Sequence, residues 1–239
     1  MYKGKRVLGV IPVDFFNCKI KNLSIYPIYN KPLFLLTAEE AKKSEYIDTI
    51  CISTDSIKYA LIAEQNGFFT SFIRPENLNL IETIVHARNF YKDKCDIYDC
   101  IVILNINSPL RTKKEIDEAI ETYFELNIDS LVSVTDCEVC PQFIRIMNDS
   151  KLTSILNYSS EYKKELFPKY YRVNESIYIN NFTNINLNTI LNNNSYGYYI
   201  DCDKSILIEK QEDIKKVRSA IKSQKVTEYF EKIRGKKNV

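Results

Sequence analysis

The chain reads as an α/β fold built on a mostly parallel sheet covered by helices on both faces. Three segments predict this. Ile101-Val102-Ile103-Leu104 is an apolar, largely β-branched run suited to a strand buried on both sides, and it passes directly into the polar turn Asn105-Ile106-Asn107-Ser108-Pro109-Leu110-Arg111-Thr112. Ile50-Cys51-Ile52-Ser53-Thr54-Asp55 repeats the form, and Val7 to Pro12 supplies a third strand. Ligands of such sheets lie outside the carboxyl ends of the strands, so Asn105, Asn107, Ser108 and Arg111 are pocket candidates.

Helical patterns alternate with these strands in the βαβ manner. Pro32 to Ser44 opens with proline in a first-turn position and carries Leu33, Leu36, Thr37, Glu40 and Ala41 at helical spacing. Asp55 to Asn66 follows, with Asp55 or Ser56 as N-cap and Gly67 as stop. Asn79 to Tyr91 is a third helix. Thr112 to Asn127 is the best marked, with Thr112 and Glu115 in capping-box spacing ahead of the apolar stripe Ile116, Ala119, Ile120 and Tyr123. From Thr135 to Asn174 the pattern breaks into short, tyrosine-rich segments. Gln211 to Ser223 and Val226 to Arg234 close the chain as two helices.

Composition narrows the function classes. The 239 residues, 45% hydrophobic, suffice for one domain spanning 1–239 with a sizeable core. The 33 basic and 31 acidic residues nearly cancel, so no broad face for nucleic acid is expected. No apolar run reaches the roughly 20 residues of a membrane helix, and the start leads into a strand instead of a signal peptide, which predicts a cytoplasmic protein. The seven cysteines, odd in number and partly inside apolar strands, read as reduced and mostly buried thiols. Cys137 and Cys140 lack the second pair that a zinc site requires. His86, the sole histidine, sits mid-pattern on the third helix and reads as structural.

The order of short words along the chain resembles the CMP-sugar synthetases, the cytidylyltransferases that activate sialic acid and related acidic sugars with CTP. The words are Ile11-Pro12, Lys21-Asn22, Asn30-Lys31-Pro32-Leu33, Ser53-Thr54-Asp55, Arg74-Pro75, Ser108-Pro109-Leu110-Arg111-Thr112, Ser133-Val134-Thr135, and Arg172-Val173-Asn174 with Tyr178. The resemblance implies a Rossmann-like nucleotidyltransferase fold and a homodimer whose arm is the insertion at roughly 136–174. It also implies attack of an acidic, nonulosonic-type sugar on the α-phosphate of CTP, with Mg2+ as cofactor and pyrophosphate leaving. The roles it implies are Lys19, Lys21 and Arg111 at the phosphates and Asn22, Arg74, Asn105, Asn107 and Ser108 around the nucleotide. Arg172, Asn174 and Tyr178 fall to the sugar, and Glu209 to the metal.

Several positions depart from that pattern. Where the family has an arginine and two glycines after the first strand, this chain has Asp14, Phe15 and Phe16. A carboxylate 4 Å from a phosphate charge is repulsive by about 4 kcal/mol at an effective dielectric of 20. Of the family's two metal-binding aspartates, the first is Leu207 and the second Glu209, in the run Ser205 to Glu209 that the family places after a strand. The family's glycine after Asn174 is Glu175, which opposes an anionic sugar if it points inward. Two readings follow: a divergent cytidylyltransferase, or a catalytically silent homologue serving as a binding or assembly module in surface-glycan biosynthesis. Ordinary structural roles also stand open: Arg111 as a helix-start partner of Glu115, Arg172 as a surface ion pair with Glu175 or Glu165, and Tyr178 as a core residue.

Overall fold

The computed structural model describes residues 1–14, 20–155, 168–185 and 194–236, the last twelve of these by backbone alone. Its centre is a six-stranded sheet. The strands are β1 (Val7–Val13), β4 (Thr49–Thr54), β5 (Cys100–Leu104), β6 (Ser130–Asp136), β9 (Tyr171–Asn181) and β10 (Tyr196–Tyr199), in the order β10-β6-β9-β5-β1-β4. All pairings are parallel except those of β9, which runs antiparallel to both β5 and β6. The mostly parallel sheet is therefore present, with one reversed strand at its middle.

Helices α1 (Leu33–Lys43), α2 (Ile57–Gln65), α3 (Leu80–Asp93) and α4 (Lys113–Glu125) match the expected segments to within a few residues. Strand β1 shows why the sheet needs cover on both sides. Val7, Ile11 and Val13 join a cluster with Phe34 and Leu35 of α1, Tyr59 of α2 and Ile116 and Ile120 of α4, whereas Leu8 and Val10 join one with Ile84, Ala87 and Tyr91 of α3. The period-two alternation of a strand thus feeds two separate apolar layers. A third cluster (Leu23, Ile28, Leu33, Leu110, Ile208, Ile214, Val217) docks the final helix, α5 (Gln211–Lys236), beside the small hairpin of β2 (Pro27–Ile28) and β3 (Lys31–Pro32).

Two expectations are revised, for the closing helices and for the cysteines. The two closing helices form one continuous element, α5, because nothing between Ser223 and Val226 terminates a helix. Ser205 to Glu209 comes after β10 and a 3-10 turn at Cys202–Lys204, as irregular chain. Of the six described cysteines, only Cys51 and Cys100 are buried, with Cys95 and Cys202 exposed. Gly67 does stop α2 at φ +77°, but with only five glycines in the chain, most left-handed positions fall to other residues, among them Asn22, Asn30, Asn77 and Asn127. In the arm segment, β7 (Arg145–Asn148) and β8 (Lys151–Ser154) form an exposed hairpin; residues 156–167 lie outside the described ones.

Helix α3 starts with a reciprocal cap: Asn79 Oδ1 accepts from the Glu82 N–H at 3.0 Å, and the Glu82 carboxylate accepts from the Asn79 N–H at 2.8 Å. Asn79→Ala removes one half of that exchange and is expected to cost about 1 kcal/mol, seen as a lower denaturant midpoint at unchanged slope.

Candidate active site

The carboxyl ends of β1, β4 and β5 lie side by side, at Val13, Thr54 and Leu104. Because β9 runs the other way, its beginning reaches the same end of the sheet: Leu104 pairs with Ile177, and the residues before Ile177 extend past the end of β5. A crevice of this kind thus gathers Asp14, Asp55, Asn105 to Ser108 and Arg172 to Ser176 from segments far apart in sequence.

The turn after β5 is held from inside by Arg111. Its side chain is buried, and Nη1 donates to the carbonyls of Asn105 (2.8 Å) and Ser108 (2.6 Å) and to Ser176 Oγ (3.4 Å), while Nη2 donates to Thr37 Oγ1 (3.0 Å). Burial pulls its pKa down to about 9, opposed by the charge of Glu40, so the guanidinium stays protonated at neutral pH. Arg111 is therefore a structural clamp on the turn, its two terminal nitrogens given to protein oxygens, and its partner is not Glu115. That carboxylate instead closes the expected box at the start of α4, accepting from the Thr112 N–H at 2.8 Å, and pairs with Lys204.

Three more expected ligand contacts turn inward with it. Ser108 is fully buried and donates to the Asn174 carbonyl at 2.9 Å. Asn174, also fully buried, donates to Ser205 Oγ at 2.8 Å and accepts from Ser133 Oγ and from the Ser176 N–H. Tyr178 sits mid-sheet opposite Ile103 and Val132, where burial pushes its phenol up to about 12. Polar words at a strand end look identical in sequence whether they face the crevice or brace it. Thr37, Ser176 and Ser205 went unread as contributors; nothing in their local sequence marks them, since their part depends on Arg111 and Asn174 arriving beside them.

The puzzle of Asp14 has a local answer. Its carboxylate pairs with Arg74, whose side chain is wholly buried and also lies 3.7 Å from Asp55. Burial raises the Asp14 pKa, Arg74 lowers it, and Asp55 adds to the rise. Arg74 is thus engaged by two carboxylates and is not open to a nucleotide as it stands. The same cation, after burial itself, holds the pKa of half-buried His86 below its usual value; that ring lies edge-on to Phe72 at 4.9 Å, a structural setting.

The remaining candidates line the open side. Lys21 and Asn22 are exposed, Asn22 in a left-handed conformation with Oδ1 accepting from Tyr59 at 3.4 Å. Asn105 and Asn107 are half-buried; Asn105 Oδ1 accepts from the Asn107 N–H at 3.0 Å. The Asn107 carbonyl accepts from the Ile208 N–H at 2.8 Å, which brings exposed Glu209 to the same rim. Arg172, half-buried, donates to the Ser205 carbonyl at 3.4 Å. Lys19, Phe15 and Phe16 lie outside the described residues. Among the described residues, no three His, Cys, Asp or Glu side chains converge as a metal cage, and no helix is long and apolar enough to cross a membrane. Magnesium often takes only one or two carboxylates and completes its shell with phosphate oxygens and water, a requirement that Glu209 at the rim fits.

A family model described as Cytidylyltransferase matches residues 19–233. The N-acylneuraminate cytidylyltransferase of Escherichia coli O18:K1:H7 is 28% identical over 216 residues, 87% of this chain and 50% of that protein. The CMP-N,N'-diacetyllegionaminic acid synthase of Legionella pneumophila is 27% identical over 188 residues, 73% of this chain and 77% of that one. The chain thus spans about half the length of the first of these relatives. Among solved structures, a CMP:2-keto-3-deoxy-manno-octonic acid synthetase complexed with CTP superposes with a TM-score of 0.70 at 11% identity, covering 92% of this chain and 99% of that one. The 4-diphosphocytidyl-2C-methyl-D-erythritol synthase of Anaerococcus prevotii reaches 0.66 at 9% identity, again over 92% and 99%. At these identities the structures speak to the fold alone.

Arg111→Met keeps the bulk of the stem but strands the Asn105 and Ser108 carbonyls. A loss of about 2–4 kcal/mol in unfolding free energy is expected by urea titration; a side chain that served only to bind phosphate would leave stability unchanged.

Proposed function

The chain belongs to the cytidylyltransferase family, and we propose that it transfers CMP from CTP to an acidic, nonulosonic-type sugar, releasing pyrophosphate. The single observation behind this reading is the family match across residues 19–233, which takes in β4, β5, β9 and the turn after β5, though not the end of β1 or Asp14. In the step itself a sugar hydroxyl oxygen bonds to the α-phosphorus, the bond to the bridging oxygen of the pyrophosphate breaks, and the hydroxyl proton is released. Catalysis of this type is mostly positioning and charge stabilisation.

In this reading Lys19 and Lys21 meet the phosphates, with Asn22, Asn105 and Asn107 near the base and ribose. Arg172 pairs the sugar carboxylate, a contact suited to a planar guanidinium. Glu209 supplies the protein's ligand to magnesium, which, when bound, neutralises phosphate charge. Arg111, Ser108, Asn174 and Tyr178 act by shaping the crevice. Two copies of the chain pair through the arm, whose hairpin and flanks leave Phe143, Met147 and Leu152 more than 60% exposed, the kind of apolar surface that an interface covers.

The carboxylate of Asp14 makes a divalent cation more necessary here than where an arginine stands in its place. Calorimetric titration is expected to show CTP binding that saturates with magnesium and disappears with chelator, and a pyrophosphate-release screen should find turnover with one of N-acetylneuraminic, N,N'-diacetyllegionaminic, pseudaminic or 2-keto-3-deoxy-octonic acid. No nucleotide binding at millimolar concentration would favour the silent homologue. Asp14→Asn removes the repulsion and loosens Arg74, and magnesium-CTP affinity is expected to rise several-fold, by about 1 kcal/mol after screening. For the pairing of copies, sedimentation should give a dimer, and Met147→Glu with Leu152→Glu a monomer.

A further inference from the structure

Glu175 occupies a backbone conformation that disfavours it. Its φ is +56°, and among the described non-glycine residues with positive φ it alone lies within a strand, the others falling in turns. The strain follows from the pairing: between Val132 and Val134 the register of β6 against β9 shifts, and Glu175 sits in the displaced stretch of β9, between fully buried Asn174 and Ser176. A glycine would meet this geometry without penalty. The chain instead carries a long, charged side chain there, exposed at the crevice, and its Oε2 accepts from Asn105 Nδ2 at 3.4 Å. One long hydrogen bond at a half-buried amide gives little structural reason to keep a side chain at a strained position. Strain of this kind is a pointer to function.

The sheet order says which half of the crevice it borders. The segments that follow β1 and β4 lie on one side of β5, and β9 lies on the other. Glu175 therefore belongs to the half of the crevice away from Asp14, with Arg172 on the same strand. An ionised carboxylate only accepts hydrogen bonds. We propose that Glu175 is a specificity-determining residue for the acceptor: its carboxylate, steadied against Asn105, takes hydroxyl donors of a polyhydroxylated sugar. It also repels the sugar's own carboxylate, which is thereby turned toward Arg172. This rests on the cytidylyltransferase reading above.

The experiment compares wild type, Glu175→Gln and Glu175→Gly. Each is assayed by pyrophosphate release with magnesium-CTP, using whichever of the four acids the wild type turns over fastest and then its monodeoxy analogues. Glu175→Gly is expected to lose about tenfold in kcat/KM, carried by the acceptor KM, with the CTP KM unchanged and the thermal midpoint equal or higher. Glu175→Gln, which keeps an accepting oxygen but lacks the charge that repels the sugar carboxylate, should fall between wild type and the glycine variant. One monodeoxy analogue should cost the wild type about as much as the glycine variant loses and cost that variant nothing further, the mark of two groups that touch. Equal kcat/KM in all three proteins, a loss confined to the CTP KM, or fully additive losses would overturn the assignment. If the wild type turns over none of the acids, the transferase reading falls and this role with it, before any variant is compared.

Discussion

The buried guanidinium of Arg111 is the constraint on which the crevice depends. A strand that ends beside a ligand site leaves carbonyls with no further ladder partner, and buried carbonyls without partners are costly. Arg111 answers that need for Asn105 and Ser108, the two ends of the turn after β5, and ties them to Thr37 of α1 and Ser176 of β9. From Ser108 the same bracing continues through Asn174 to Ser133 and Ser205. The desolvation of a cation is offset here by carbonyl and hydroxyl oxygens instead of a carboxylate. What results is a turn fixed from behind, with Asn105 and Asn107 left toward the open side.

Charge divides the crevice in two. On the side of β1 and β4, Asp14, Arg74 and Asp55 form a compact group in which two carboxylates share one buried cation. Taken as ionised, that group has an excess of negative charge, so a triphosphate approaching it needs accompanying cations. On the side of β9, Arg172 and Glu175 present both signs. The reversal of β9 creates this division, because it carries the start of a strand to a rim otherwise made from strand ends.

Scarcity of glycine runs through the whole molecule. With five glycines in the chain, asparagines serve most visibly at left-handed turns, where a short amide tolerates the conformation. Glu175 departs from that economy because it sits in a strand and has a long side chain.

The alternation of apolar strands and helical stripes, read from residues 7 to 127, was enough by itself to determine the α/β class and four of the helices. Those features are local: period, caps and strand-end polarity are written within windows of a dozen residues. The collinear words also carried the family. The tertiary structure alone decided which polar residues face the crevice and which brace it. Arg111, Ser108, Asn174 and Arg74 read as ligand contacts and are buried against partners from other elements, in several cases 60 or more residues away. Whether a charge binds substrate or neighbour is settled by the company that folding brings to it, and the reversal of β9 and the pairing of Asp14 with Arg74 arise only when distant segments meet.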